Sequence, residues 1–218
     1  RQLPKFCGRS LGEATCSPRV AGIMKEYSQA GDMMVVSAAG STTNQLISWL
    51  KLSQSDRLAA HQVQQSLRRY HTELIGGLLE PAAADTLIAA FIHDLERLAG
   101  LLDGGVSEAV YAEVVGHGEV WSARLMAAVL NQLGMEAAWL DARAFLRAER
   151  AAQPQVDEGL SYPLLQQLMA QHPNKRLVVT GFISRNQAGE TVLLGRNGSD
   201  YSATQIGALA GASRVTIW

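Results

Sequence analysis

The sequence is short of the residues that build small or specialised folds. Only two of its 218 residues are cysteine, Cys7 and Cys16. That is too few for a disulfide scaffold, and neither is paired with histidines as in a zinc site, so a reducing compartment is expected. No apolar run approaches the roughly 18 residues needed to span a bilayer, and the opening RQLPKF lacks the apolar core of a signal peptide. An excess of one charge is missing too. Nineteen basic against 20 acidic side chains leave a net −1, which supplies no general field for nucleic acid or an anionic membrane. These absences point to a cytoplasmic protein with small partners. What is present, 47% hydrophobic and 18% charged residues, suffices for one sizeable core and excludes a disordered tail or fibrous repeat.

Familiar chemical signatures are also absent. G-x-x-x-x-G-K-[ST], G-x-G-x-x-G, H-R-D and D-F-G do not occur, which argues against P-loop ATPases, classical Rossmann dehydrogenases and protein kinases. Neither G-x-S-x-G nor H-E-x-x-H occurs, and no Cys/His cluster marks a metal.

The periodicities describe alternating strands and helices. Met33 to Ser37 reads as a buried strand emptying into small residues, with a helix from Gln45 to Leu52. Leu58, Val63, Leu67, Leu74 and Leu78 give a long amphipathic helix from Asp56 to Leu79, frayed at Gly76 and Gly77. A second helix starts at Pro81, carries Leu87, Phe91, Leu95, Leu98 and Leu102, and forms a hairpin with the first. Ser107 caps a short helix reaching Val115, and Glu119 to Leu133 forms another that stops at Gly134. Strands follow at Ala137 to Leu140 and Arg176 to Ile183, the latter apolar on consecutive residues and therefore covered on both faces. Between them lie a polar connection, Pro154 to Gly159, and a helix from Tyr162 to Gln171. Thr191 to Leu194 reads as strand, Tyr201 to Ala210 as helix and Arg214 to Trp218 as a last strand. Such alternation implies a mainly parallel sheet between helical layers. An interior-looking last strand with no helix to cover it implies a fragment, truncated at its C-terminal side.

In an open α/β sheet, ligands bind beyond the carboxyl ends of the strands, and four segments fall there. Lys5 to Ser10 follows a very short first strand, where an ammonium beside a glycine turn can hold phosphate or simply lie on the surface. Ser37 to Asn44 carries four hydroxyls and an amide that can cap a helix or bind a polar ligand. Glu119, after Gly116-His117-Gly118, suits either a helix dipole or a ligand ammonium, and His117 takes no role. In Gly195 to Asp200, the guanidinium of Arg196 fits a carboxylate or pairs with Asp200, and Ser199 or Asp200 can cap the next helix. Together the last three segments could hold an amino acid at its carboxylate and ammonium ends.

Taken in order, these motifs resemble one family. Lys5-Phe6-x-Gly8-x-Ser10-Leu11, Val35-Val36-Ser37-Ala38 with Thr42-Thr43-Asn44, Gly118-Glu119, Gly181-Phe182-Ile183 and Gly195-Arg196-x-Gly198-Ser199-Asp200 are similar to the aspartokinase branch of the amino acid kinases. The resemblance covers nearly all 218 residues. It implies a three-layer α/β/α sandwich and transfer of the γ-phosphoryl group of MgATP to the β-carboxylate of L-aspartate, with ATP and Mg2+ required. It also implies homo-oligomerisation of the full-length protein. Lys5 and Asp200 would be catalytic; Lys5, Gly8 and Ser10 would bind ATP; Ser37, Thr43, Glu119, Arg196 and Ser199 would bind aspartate. Residues 1–218 would be the aspartate-side part of the catalytic domain, without regulatory or dehydrogenase domains and with little turnover in isolation.

The chain departs from the family pattern K-F-G-G-S-S, with Cys7 for the first glycine and Arg9 for the first serine. A Cβ at residue 7 would crowd a phosphate approaching the backbone, and Pro4 removes a donor from an expected interior strand. Two readings therefore stand beside aspartate kinase. One is a non-catalytic module binding a small amino acid; the other is a kinase for glutamate or acetylglutamate.

Overall fold

The structure, a computed structural model, describes residues 2–6, 16–195, 198–212 and 214–217. Strands β1 (Gln2–Phe6), β2 (Met33–Val36), β3 (Ala137–Leu140), β4 (Arg176–Thr180), β5 (Ile183–Arg185), β6 (Thr191–Leu193) and β7 (Arg214–Ile217) make two sheets. The larger has the order β3-β4-β2-β1-β7 with every neighbouring pair parallel, and β5 and β6 form a separate antiparallel pair. Helices α1 (Cys16–Tyr27), α2 (Thr42–Ser53), α3 (Arg57–Leu78), α4 (Pro81–Asp103), α5 (Glu108–Val115), α6 (His117–Gln132), α7 (Glu158–Gln171) and α8 (Gly198–Leu209) enclose the larger sheet. Among the described residues no helix is long and apolar enough to cross a membrane.

Alternation along the central strands produces the expected three layers. Successive side chains of a strand point to opposite faces, so a strand covered on both sides must be apolar throughout. Met34 and Val36 of β2 and Val178 of β4 face a cluster built with Met24, Leu46, Leu67, Phe91, Val114 and Leu130, drawn from α1 to α6. Met33, Val35, Leu177 and Val179 face the opposite cluster with Phe145, Leu165 and Ile206, which includes residues of α7 and α8. The consecutive apolar residues at the start of the 176–183 segment are explained by that double burial.

Local chemistry sets the helix starts. Asp56, Ser107 and Asp157 each accept a backbone N–H three residues ahead, at 3.0, 3.2 and 3.0 Å, and so begin α3, α5 and α7. The Asp157 cap brings α7 forward to Glu158 and places Pro163 inside it, so the polar connection is shorter than the sequence pattern indicates. Helix α1 has no counterpart in that pattern, because Pro18 and Gly22 dilute its helix propensity. Its Val20 and Met24 are nonetheless buried in the core. The α3–α4 hairpin forms as expected, but Leu58 is 71% exposed, and Ala60, Leu67, His71, Leu74 and Ile75 make the buried stripe.

The expected strand from Arg176 to Ile183 is two strands. β4 ends at Thr180, whose Oγ1 accepts the Ala142 N–H at 2.8 Å, and the chain turns at Gly181 and Phe182 before β5 leaves for the second sheet. β1 is interior, between β2 and β7, and contains Pro4 opposite Thr216. Its register with β2 runs only over Lys5 and Phe6, beyond the proline.

Phe145, fully buried beneath the sheet, provides a direct test of this core. Phe145→Ala is expected to cost about 3–5 kcal/mol of unfolding free energy in urea. Leu58→Ala should remain within about 0.5 kcal/mol of the parent.

Candidate active site

Because the strands of the larger sheet are parallel, the loops leaving the carboxyl ends of β2 and β4 share one rim. The loop after β2 runs from Ser37 to Ser41, turning at Gly40 with φ +53°, and Thr42 N–H donates to the Ala39 carbonyl at 3.0 Å. Ser41 occupies the N-cap position of α2 without making a side-chain cap, so capping does not account for this hydroxyl run. Ser37 and Thr43 are half-buried, and Thr42 is fully buried.

Two further elements close on this loop. A Cβ built on Gly118, in the first turn of α6, would lie 2.8 Å from Ala38 Cβ and 3.0 Å from Thr42 Cγ2. Only glycine lets the helix start sit that close, and Glu119 follows it, 3% exposed. On the other side, Gly181 N–H donates to the Val36 carbonyl at 2.9 Å. A Cβ there would lie 3.0 Å from Ser199 Oγ in the first turn of α8. The turn is fixed by Ser202, whose Oγ accepts the Phe182 N–H at 2.9 Å and donates to the Gly198 carbonyl at 2.6 Å. Phe182 is held at φ +66°, a left-handed conformation costly for any residue with a Cβ.

The structure therefore gathers Ser37, Thr43, Glu119, Ser199 and Asp200 along one rim, on the loop after β2 and the starts of α2, α6 and α8. Ser199 and Asp200 lie inside the first turn of α8, which begins at Gly198, rather than ahead of the helix as caps. Lys5 belongs to β1 itself, paired with Val35 one residue before the strand ends, rather than to a loop after it. Gly8, Ser10 and Arg196 lie outside the described residues, as do Cys7 and Arg9.

Behind the rim lies a charged network absent from the sequence reading. Asp94 Oδ2 accepts from Trp121 Nε1 at 3.2 Å and Arg124 Nη1 at 2.5 Å, and lies 3.3 Å from His117 Nε2. Glu113 meets the other ring nitrogen of His117 at 3.7 Å and also receives Arg97, Arg143 and Thr191. Burial alone would raise the carboxyl of Asp94, but His117 and Arg124 outweigh it and hold the group well below the usual range. Glu113 is lowered the same way, with burial opposed chiefly by Arg143 and the Thr191 hydroxyl. Arg143, desolvated but held by Asp141 and Glu113, is raised. The available signal was Asp94 itself, a carboxylate inside the apolar stripe of α4.

His71 is the second supporting group the sequence reading missed. It lies on the buried stripe of α3, within 5.0 Å of the Tyr70, Phe91 and Trp121 ring centroids, and shares a 3.0 Å hydrogen bond between its Nε2 and Thr42 Oγ1. Burial pushes its pKa from 6.5 down to about 3. The unfolded chain therefore binds a proton near pH 6.5 that the folded chain refuses until about pH 3, and stability falls as pH drops through that window. From this group the slope is about 0.7 kcal/mol per pH unit at pH 6.5 and approaches about 1.4 by pH 5, measurable by urea unfolding, and His71→Phe should abolish it. At lower pH Asp94 and Glu113 add their own loss, because their stabilisation exists only above the carboxylate range of the unfolded chain.

Comparison with known proteins agrees with the fold. The model of the amino acid kinase family matches residues 1–218. The chain is 80% identical over its whole length to the Escherichia coli (strain K12) bifunctional aspartokinase/homoserine dehydrogenase 2, covering 27% of that protein. It superposes with TM-score 0.90 and 25% identity on E. coli aspartokinase III in complex with lysine and aspartate, covering all of this chain and 48% of that one. The same values hold for aspartokinase III in complex with aspartate and ADP. The chain thus spans about a quarter to a half of the length of these relatives. With the family model matched from the first residue to the last and the parallel-sheet rim in place, the chain belongs to the amino acid kinase family.

Proposed function

We propose that the chain is the aspartate-side part of an aspartokinase catalytic domain, which transfers the γ-phosphoryl group of ATP to the β-carboxylate of L-aspartate. The product is 4-phospho-L-aspartate, the first intermediate toward lysine, threonine and methionine. The observation that carries the reading is the closure of Ala38 and Thr42 on Gly118, which brings the hydroxyl loop beside the helix start bearing Glu119. The 80% identity to a bifunctional aspartokinase and the likeness to aspartokinase III with aspartate and ADP support the choice of acceptor and donor.

The chemistry asks little of acid–base groups. A carboxylate is already ionised at neutral pH, so its oxygen can attack the γ-phosphorus as the bond to the ADP oxygen breaks, and no proton is removed. What remains is alignment and neutralisation of charge. On this reading Arg196 receives a carboxylate of aspartate and Glu119 its ammonium, Ser37 and Thr43 offer hydroxyls, and Ser199 shapes the turn. Lys5, Gly8 and Ser10 hold the phosphates, with Lys5 following the phosphoryl oxygens during transfer and Asp200 ordering the reacting groups. Mg2+ enters with ATP as part of the substrate, held mainly by phosphate oxygens. The protein then works in the cytoplasm, and its full-length form as a homo-oligomer.

Calorimetric titration with L-aspartate tests the assignment. The chain should bind aspartate and prefer it to glutamate, whose carboxylate is displaced by about one C–C bond and misses the same fork. Arg196→Ala should abolish the binding. Equal affinity for the two acids, or full affinity in the variant, would refute an aspartate site built on Arg196.

A further inference from the structure

We infer that His71 is a positioning residue for the acceptor site, locking the hydroxyl loop to the helix start that carries Glu119. The inference rests on the aspartate-site reading above and assigns a role to a side chain outside the rim.

His71 lies on α3, in the helical layer, yet its ring touches both elements that build the site. One contact is polar: Nε2 shares the 3.0 Å hydrogen bond with Thr42 Oγ1, and Thr42 immediately precedes Thr43. The other is aromatic: the ring meets Trp121 edge-on at 4.9 Å, and Trp121 is two residues beyond Glu119 on α6. Between these contacts, Thr42 Cγ2 rests against Gly118. The imidazole thus closes a triangle of Thr42, Gly118 and Trp121, and moving any corner shifts the hydroxyl loop relative to Glu119.

A histidine is not needed here for packing alone. Phe91, Tyr70 and Trp121 form an aromatic surround that a phenyl ring at position 71 would fill equally well. What a phenyl ring cannot supply is the hydrogen bond to Thr42. Nor does Thr42 hold the cap position of α2, which belongs to Ser41; Thr42 is the first residue of the helix itself. Both groups are buried, His71 at 2% and Thr42 at 0% exposure, so water does not substitute for either.

The roles of shape and hydrogen bond separate experimentally. His71→Phe preserves the ring and removes the bond, whereas His71→Gln places an amide near the Nε2 position and restores it. Thr42→Val and Thr42→Ser make the same comparison from the other side. Aspartate affinity by calorimetry and the thermal midpoint are measured for each in the 218-residue chain. His71→Phe and Thr42→Val are expected to weaken aspartate about three- to tenfold, and His71→Phe, which strands the buried Thr42 hydroxyl, is expected to lower the thermal midpoint by several degrees while staying folded at the titration temperature. His71→Gln should remain within about twofold, Thr42→Ser, which keeps the hydroxyl but gives up the Cγ2 facing Gly118, should fall between the parent and Thr42→Val, and the His71→Phe/Thr42→Val double variant should be no weaker than the weaker single one. Parental affinity in His71→Phe, additive losses in the double variant, or no recovery in His71→Gln would overturn the inference while leaving the aspartate site standing. Absence of aspartate binding by the parent chain would remove both, and that result is visible before any variant is made.

Discussion

The site depends on one close approach, that of Ala38 and Thr42 to Gly118, where a single added carbon would lie 2.8 Å from its neighbour. A helix start cannot come that near a loop unless both are fixed from behind. The loop is fixed by its emergence from β2, whose alternate residues are sealed in two cores, and the helix by Trp121 and Leu130 in one of them. Closely packed interiors resist small displacements, so the rim inherits its rigidity from the apolar layers beneath. The same device recurs at Gly181, where the absence of a Cβ lets Ser199 approach the end of β2.

Fixing the helix start also requires burying charge, which is tolerable only when each charge is paired. Asp94 and Glu113 lie on either side of His117, and Arg124, Arg97 and Arg143 complete the set. Removing one partner from such a set leaves an uncompensated buried charge, so these residues hold one another in place. The network joins α4, α5 and α6 to β6 through Thr191, tying the two-stranded sheet to the helix that carries Glu119. Arg143 reaches it from the short turn after β3, with its guanidinium shared between Asp141 and Glu113.

The sequence made the rim legible because the rule that locates it is topological. Once β2 and β4 are recognised, Ser37, Thr43 and Gly181 must follow their carboxyl ends, and no side-chain detail is needed. Helix stripes were legible to the same degree: Leu67, Leu74, Phe91, Leu95 and Leu98 are core residues, as their spacing implies. Three things were not. Helix α1 is hidden by Pro18 and Gly22, since its stability comes from docking Val20 and Met24 rather than from propensity. The break after Thr180 is hidden because an apolar run does not show where a strand changes sheets. The support of the rim is hidden because His71 and Asp94 are single polar residues in apolar stripes, and their partners Thr42 and His117 are 29 and 23 positions away.

That last gap bears on how the site works. Strongly displaced titrations often mark catalytic groups, because acid–base chemistry requires tuned protons. Here His71 and Asp94, the most displaced, lie beneath the rim and face Thr42, Trp121 and Arg124. A reaction whose nucleophile is already an anion needs no proton placed near neutrality. The electrostatic work can therefore be done away from the reacting atoms, in holding loops at fixed distances. Under the proposed phosphoryl transfer to a carboxylate, the perturbed groups of this chain belong to the scaffold, and the candidate site residues are recognised by where the strands end.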